Sequence, residues 1–334
     1  RAVLTPMRVV VATGRVDAAA LPRVRDRGGR TAFLGAMGLG LLAAALFSSS
    51  FVVNKSMQLG GGAWEWTARL SYLMLLPLLA AIVGARRGLA PVLAALRAEP
   101  ARWLLWSTIG FGLFYAPLAF AVSAGPGWLL AGTWQLTILA GILLAPVLYD
   151  DERAVIPRRA VAGALIVLAG VALMQAEHAS GVGTGVLLVG VLPVIVAAFA
   201  YPAGNRRTME LADGRLDTWQ RILAMVIASL PFWLVLSVVG AAHAGAPGAA
   251  QLGQSLVVAV VGGLVATALF FAATARVRRD PTRLAAVEAT QSGEVVFAAG
   301  LEAVLLGAGL PSPVAWAGIA LIVAGIGSTV LRDR

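Results

Sequence analysis

The chain has 334 residues, of which 59% are hydrophobic and 13% charged, with a formal net charge of +10 and no cysteine. Soluble domains are about 45–50% apolar and about 25% charged, so this composition excludes an ordinary soluble domain, and the apolar excess excludes a disordered chain. The lack of cysteine excludes disulfide scaffolds and thiolate zinc sites, and two histidines, His178 and His243, leave little for a histidine metal site or a Ser-His-Asp triad.

In chain order, residues 1–30 come first, a basic arm with seven arginines and no apolar run of the kind a signal peptide carries. It is expected to be disordered and to touch anionic lipid. Ten apolar runs follow, at 31–53, 63–84, 102–122, 128–149, 160–176, 185–204, 218–241, 255–275, 284–307 and 313–331. About 20 consecutive apolar residues are enough to cross a bilayer as a helix, so each run is read as a membrane span. The predicted fold is an all-α membrane protein of ten transmembrane helices.

Orientation follows from the basic residues of the loops. With both termini in the cytoplasm, 24 of the 26 Lys and Arg residues fall in cytoplasmic segments. The other two are Lys55, which falls outside, and Arg69, within the second run. The charge is therefore spread over every cytoplasmic loop and forms no single stripe of the kind that binds nucleic acid, so no nucleic-acid partner is expected. A multi-pass protein of the cell (inner) membrane is predicted.

The chain repeats itself. Ala162-Gly163 and Ala169-Gly170 in the fifth run match Ala317-Gly318 and Ala324-Gly325 in the tenth, 155 positions later. Gln135 and Gln291 are offset by 156, and both Asn54/Asn205 and Phe120-Ala121/Phe271-Ala272 by 151. Repeats of five spans must insert in opposite orientations, which is a transporter architecture. The first repeat is read as 31–176 and the second as 185–331.

Ionisable groups in a bilayer are expensive and face a bundle interior or a wet cavity. In the second run, Glu65 and Arg69 have the i, i+4 spacing of a helical ion pair, and Arg69 is also read as an anion-binding or gating group. Tyr115 and Pro117 mark a kink in the third run, as Pro193, Pro202 and Pro231 do later. Thr133, Trp134 and Gln135 in the fourth offer a hydroxyl, an aromatic face and an amide. In the ninth run, Glu288, Gln291, Glu294 and Glu302 share one helical face, with Glu294 near the middle as the candidate for binding substrate or a coupling ion. Glu288, near Arg283, reads as an interfacial ion pair, and Glu302 as a solvated group at the outer end. Gly38–Gly40 and Gly262-Gly263 read as close-packing surfaces.

Several of these segments resemble the drug/metabolite transporter superfamily, and within it the EamA-like ten-helix proteins and the multidrug resistance efflux group. The resemblance rests on Phe47 to Lys55, Trp64 to Arg69, Gly112 to Pro117, and Gly132-Thr133-Trp134-Gln135. It implies secondary active transport, usually export, of small organic compounds. It also implies a cavity lined by runs one to four and six to nine, with five and ten at the rim. The four-helix members couple to protons through a glutamate in their first helix. Runs one and six here hold no acidic residue, so that role is not carried over.

The expected function is a secondary transporter exporting small organic compounds, cationic or amphipathic drugs among them, at the expense of a proton or other ion gradient. The alternatives are an amino-acid or other metabolite exporter of the same fold and, less favoured, a membrane-embedded enzyme. Glu294, Gln291, Gln135, Trp134, Thr133, Tyr115, Arg69 and Glu65 are the candidate binding residues. The expected partners are a small-molecule substrate and the lipid bilayer. No metal, cofactor or nucleotide site is expected, since the phosphate-binding glycine loop is absent.

Overall fold

A computed structural model describes residues 27–124, 127–156, 158–176, 183–305 and 312–331. Residues 1–26 and His178 lie outside them, as does the side chain of Glu302. Among the described residues every regular element is helical. The first is α1, Arg27–Leu59, followed by α2, Trp64–Ala85, and a short α3, Leu89–Ala98. Helix α1 starts inside the segment predicted as a disordered arm, and α3 occupies a loop for which no helix was predicted.

The third apolar run forms a single rod with a change of winding. It comprises α4, Pro100–Ser107, a π-helical segment at Thr108–Gly112, and α5, Leu113–Ala124. Pro117 has no N–H to offer the carbonyl of Leu113, and that is where the π turns give way to α. The fourth run is broken into α6, Gly127–Trp134, α7, Leu136–Leu143, and α8, Ala145–Leu148. At the first break the Gln135 N–H donates to Gly132 and the Gln135 carbonyl accepts from Ile138, a locally tightened turn. Helix α9 is Arg158–Ala176.

The remaining elements begin with a long rod. Helix α10 is Thr184–Ala212, running eight residues past its predicted end and stopped by Asp213 and Gly214 in left-handed conformation. Helix α11, Thr218–Ala244, opens on a capping box between Asp217 and Gln220. Then come α12, Ala249–Val258, a π-helical segment at Ala259–Ala266, and α13, Thr267–Val277. The next rod is α14, Pro281–Ala289, a 3₁₀ turn at Thr290–Ser292, and α15, Gly293–Leu305. Helix α16 is Pro313–Leu331.

Seven helices among the described residues are long and apolar enough to cross a membrane. The predicted fourth, ninth and tenth spans do not meet that standard. The described apolar stretches of the fourth and tenth, Gly132–Leu143 and Pro313–Ile326, are shorter than a span, and the ninth is wound as 3₁₀ at Thr290–Ser292. The outer surface is apolar, with Val147, Leu188, Val235 and Val238 all more than half exposed, as lipid contact requires. Together, the spans and this surface define a multi-pass membrane protein.

The interruptions recur in register. The two π-helical segments begin at Thr108 and Ala259, 151 positions apart. The breaks in the fourth and ninth runs hold Gln135 and Gln291, the pair matched in the sequence. The pairing of elements follows too: α5 packs on α10 and α1 on α13, while α2 packs on α11 and α9 on α16. The last contact is the most extensive in the molecule. A Cβ at Gly170 would meet the Gly318 carbonyl oxygen at 2.6 Å, and one at Gly325 would meet the Gly163 carbonyl oxygen at 3.1 Å. Early residues of α9 thus face late residues of α16, and late face early.

Segments assigned to one side of the membrane also meet at one end. The Gln220 amide donates to the Gly88 carbonyl at 3.1 Å. At the opposite end, the Trp66 indole donates to Gly245 at 2.8 Å and the Gln251 amide to Ala63 at 2.9 Å.

Candidate functional site

The largest core cluster joins α1, α2, α5, α6, α10, α11, α12 and α13, and within it lies a cavity of about 660 Å³ of empty space. Six aromatic rings shape it: Phe47, Tyr72, Phe114, Tyr115, Trp134 and Tyr201. Phe114 lies between Trp134 and Tyr201, with ring centroids 5.2 and 4.6 Å away. Tyr72 stacks on Trp233 of α11 at 4.5 Å, so α11 supports the wall without lining it. Such edge and offset contacts fix ring orientation.

Polar groups enter the apolar surface at few points. Asn54 Nδ2 donates to the Tyr115 hydroxyl at 3.1 Å, tying α1 to α5. Ser50, Ser71 and Thr267 add hydroxyls, and the Thr267 hydroxyl donates to the Gly262 carbonyl left open by the π winding. Glu294 is 3% exposed and receives a hydrogen bond from the Trp134 indole. Gln291, one turn earlier, is 1% exposed and also lines the space. The 3₁₀ turn aims both side chains inward; the Thr290 and Ser292 hydroxyls bond back to the Val287 and Ala289 carbonyls, both at 2.6 Å. A buried carboxylate ringed by aromatic faces can hold an organic cation through charge and π contacts, or a proton when the cation is gone.

Four predicted residues are thus together: Glu294, Gln291, Trp134 and Tyr115. The other four are elsewhere. Gln135 is fully buried at the break of its run and Thr133 stands beside it; neither lines the cavity. Glu65 and Arg69 do not pair as the i, i+4 spacing predicted. Arg69 is fully buried against α11, where Nη1 donates to the Leu236 carbonyl at 3.0 Å and the guanidinium stacks on Trp66. Gly240 leaves room for it: a Cβ there would meet Glu65 Cβ at 2.8 Å. Glu65 instead lies 3.6 Å from His243 Nδ1, on the last turn of α11. Spacing could not disclose this competitor, because α11 is remote in sequence.

Glu288 is likewise corrected. Its partner is Arg206 of α10, in a bidentate pair at 3.1 and 2.7 Å, and both residues are buried. Arg283 bonds Asp280 instead. Of the glycines predicted as packing surfaces, Gly40 is closely packed against Thr290, and a Cβ at Gly262 would meet the Ser50 hydroxyl oxygen at 2.6 Å. Gly262 and Gly263 also line the cavity, while a Cβ at Gly38 would meet nothing within 4 Å. Asn54, Tyr72 and Tyr201 were missed as site residues. The repeat match of Asn54 with Asn205 was the signal for the first, and a tyrosine inside a membrane run was a signal for the others.

Sequence comparison gives the class, a membrane transporter of small compounds. Residues 34–334 match the family described as "EmrE: Putative multidrug resistance efflux transporter", and the chain belongs to that family. It is 48% identical over 297 residues to the "Uncharacterized protein YjlA" of Bacillus subtilis (strain 168), covering 86% of this chain and 92% of the relative. It is 46% identical over 271 residues to the "Uncharacterized 42.1 kDa protein in intracellular alkaline protease 3'region" of Shouchella clausii, covering 79% and 71%. A crystal structure 17% identical shares the fold, with a TM-score of 0.66 over 88% of this chain and 95% of that one.

Proposed function

We propose that the chain is a secondary transporter that exports small amphipathic cations across the cell membrane, exchanging them for protons at Glu294. The observation that carries this reading is the Glu294 carboxylate inside a cavity of aromatic rings. A carboxylate kept from bulk water interacts strongly with one positive charge at a time, so substrate and proton compete for it. The aromatic faces add affinity for delocalised cations without demanding one shape, which suits a range of compounds.

In this reading the chain has ten spans in two inverted halves, 31–176 and 185–331, with both termini in the cytoplasm. The paired π segments, the paired breaks and the crossed glycine contacts of α9 and α16 favour that symmetry. Exchanging the conformations of the halves would open the cavity to alternate sides.

Reconstitution in proteoliposomes with an imposed proton gradient tests the proposal, with tetraphenylphosphonium as the probe cation. Uptake driven by the gradient is expected, and Glu294→Gln should lower it at least about tenfold, since losing one charge of a buried pair costs about 2–5 kcal/mol. Gradient-independent flux that survives Glu294→Gln would contradict the reading.

A further inference from the structure

The aromatic cavity does not end blindly. Tyr201 and Gln291 line it and also line a second, smaller space walled by Thr137, Asn205, Phe270 and Glu288. A third space lies beyond, bounded by Tyr149, Val155, Arg206 and Arg278. It shares Arg153 and Arg278 with a wide charged mouth that includes Asp151 and Glu210. Glu288 belongs to the wall of the second space and Arg206 to that of the third, so the ion pair itself is the partition.

We propose that the Arg206–Glu288 pair is the cytoplasmic gate of the transport route, closed in this conformation, with the charged mouth as its vestibule. This rests on the transporter reading and on the orientation given by the basic loops, and it adds the route and the group that closes it.

Three features carry the assignment. The pair is made by two elements, α10 and α14, that share α7 as a neighbour but otherwise rest on different helices: α10 mainly on α5, α14 on α13, α1 and α16. Five buried polar atoms with no hydrogen-bond partner among the described residues belong to residues lining this series of spaces: the Ser50, Tyr149 and Tyr201 hydroxyls, Asn205 Nδ2 and Gln291 Nε2. Unpartnered polar atoms fit a path that is hydrated or occupied in another state better than a packed core. Finally, Gly141 of α7 makes room for the closed pair; a Cβ there would collide with the Glu288 carboxylate and stand 3.3 Å from Arg206 Nη2.

The charge pair is suited to gating rather than to simple stability. Buried ion pairs give little net stability because desolvation offsets attraction, and apolar residues would close the space equally well. Two charges that regain water on separating can part and rejoin as α14 shifts against α10.

The chain has no cysteine, so single introduced cysteines report access directly. Thr137→Cys places a thiol beyond the pair, and Val155→Cys places one on the vestibule side. Everted membrane vesicles are treated with a membrane-impermeant methanethiosulfonate, without substrate. Val155→Cys should react fast, and Thr137→Cys slowly while the pair is intact. With Arg206→Ala and Glu288→Ala together, Thr137→Cys should react about tenfold faster. The exchanged pair, Arg206→Glu with Glu288→Arg, should restore slow reaction.

An unchanged Thr137→Cys rate in the alanine pair overturns the gate, as does failure of the exchanged pair to restore protection in a monodisperse protein. Should the alanine pair not assemble, Glu288→Gln carries the same test: faster reaction supports the gate and unchanged reaction overturns it. Reaction of Val155→Cys only in right-side-out vesicles overturns the cytoplasmic placement. Because the readout needs no substrate, a failure of cation transport leaves the gating result standing and identifies the substrate reading as the one at fault.

Discussion

Tyr115 and Asn54 show how one hydrogen bond holds the shape of the cavity. Replacing Tyr115 by Phe removes the hydroxyl and leaves the Asn54 amide buried without that partner. A loss of about 1–3 kcal/mol is expected, read as a lowered Tm in detergent, whereas an unchanged Tm would mean that the amide finds another partner at no cost. Asp151, at the charged mouth, is a different case. Hydrogen bonds from the Arg153 side chain and backbone N–H hold its carboxyl down from 3.8 to about 2. A depressed carboxylate contributes stability above its unfolded value, and that contribution is lost as pH falls through the folded one. Wild type and Asp151→Asn should therefore differ at neutral pH and converge as the pH drops from about 4 toward 2. A difference that persists at pH 2 would contradict this. At this scale the sequence was half legible. Glu294 and Trp134 were conspicuous because charge and indole are unusual inside an apolar run, and they meet in the cavity. Arg69 was equally conspicuous but is satisfied by a carbonyl of α11, a partner that no local spacing encodes.

At the scale of elements, small residues set how closely helices approach. Gly170→Ala puts a methyl 2.6 Å from the Gly318 carbonyl oxygen and 2.9 Å from Leu321 Cβ, so α9 and α16 must separate. Overpacking of this kind costs about 1–3 kcal/mol, and a lower Tm is the expected result. Gly38→Ala is the control, because nothing stands within 4 Å and the alanine favours the helix by about 1 kcal/mol. If both variants melt alike, the α9–α16 contact does not depend on its glycines. The apolar runs disclosed these helices and their approximate ends, because run length maps onto bilayer thickness. They did not disclose the winding. Proline was the predicted source of bending and Pro146 does follow the break at Leu144, yet the breaks at Gln135 and Thr290–Ser292 have no proline beside them, and one π segment lies in a run without proline. Those interruptions depend on side chains bonding to nearby carbonyls and on packing across the bundle. Helix α3 was missed because ten residues are too few to register as a span.

For the whole molecule, the apolar runs carried the helical, multi-pass architecture. The positive charge, which in a soluble protein suggests nucleic acid, sorts the loops by side, and loops assigned to the same side do meet in space. The small and amide residues that matched within the sequence recur at the crossed helix contact and at the breaks, which favours the proposed repeat. What sequence could not supply was the convergence of α1, α2, α5, α6, α10, α13 and α15 on one cavity, since each contributes only one to three lining residues. The central claim is that one carboxylate in that cavity serves cation and proton in turn. Its most direct test is proton release on cation binding, followed in a weakly buffered detergent solution of the purified protein as tetraphenylphosphonium is added. The account predicts that wild type releases a proton as it binds the cation and that Glu294→Gln releases none and binds at least about tenfold more weakly. Equal proton release, or equal binding, in the Glu294→Gln protein would contradict it.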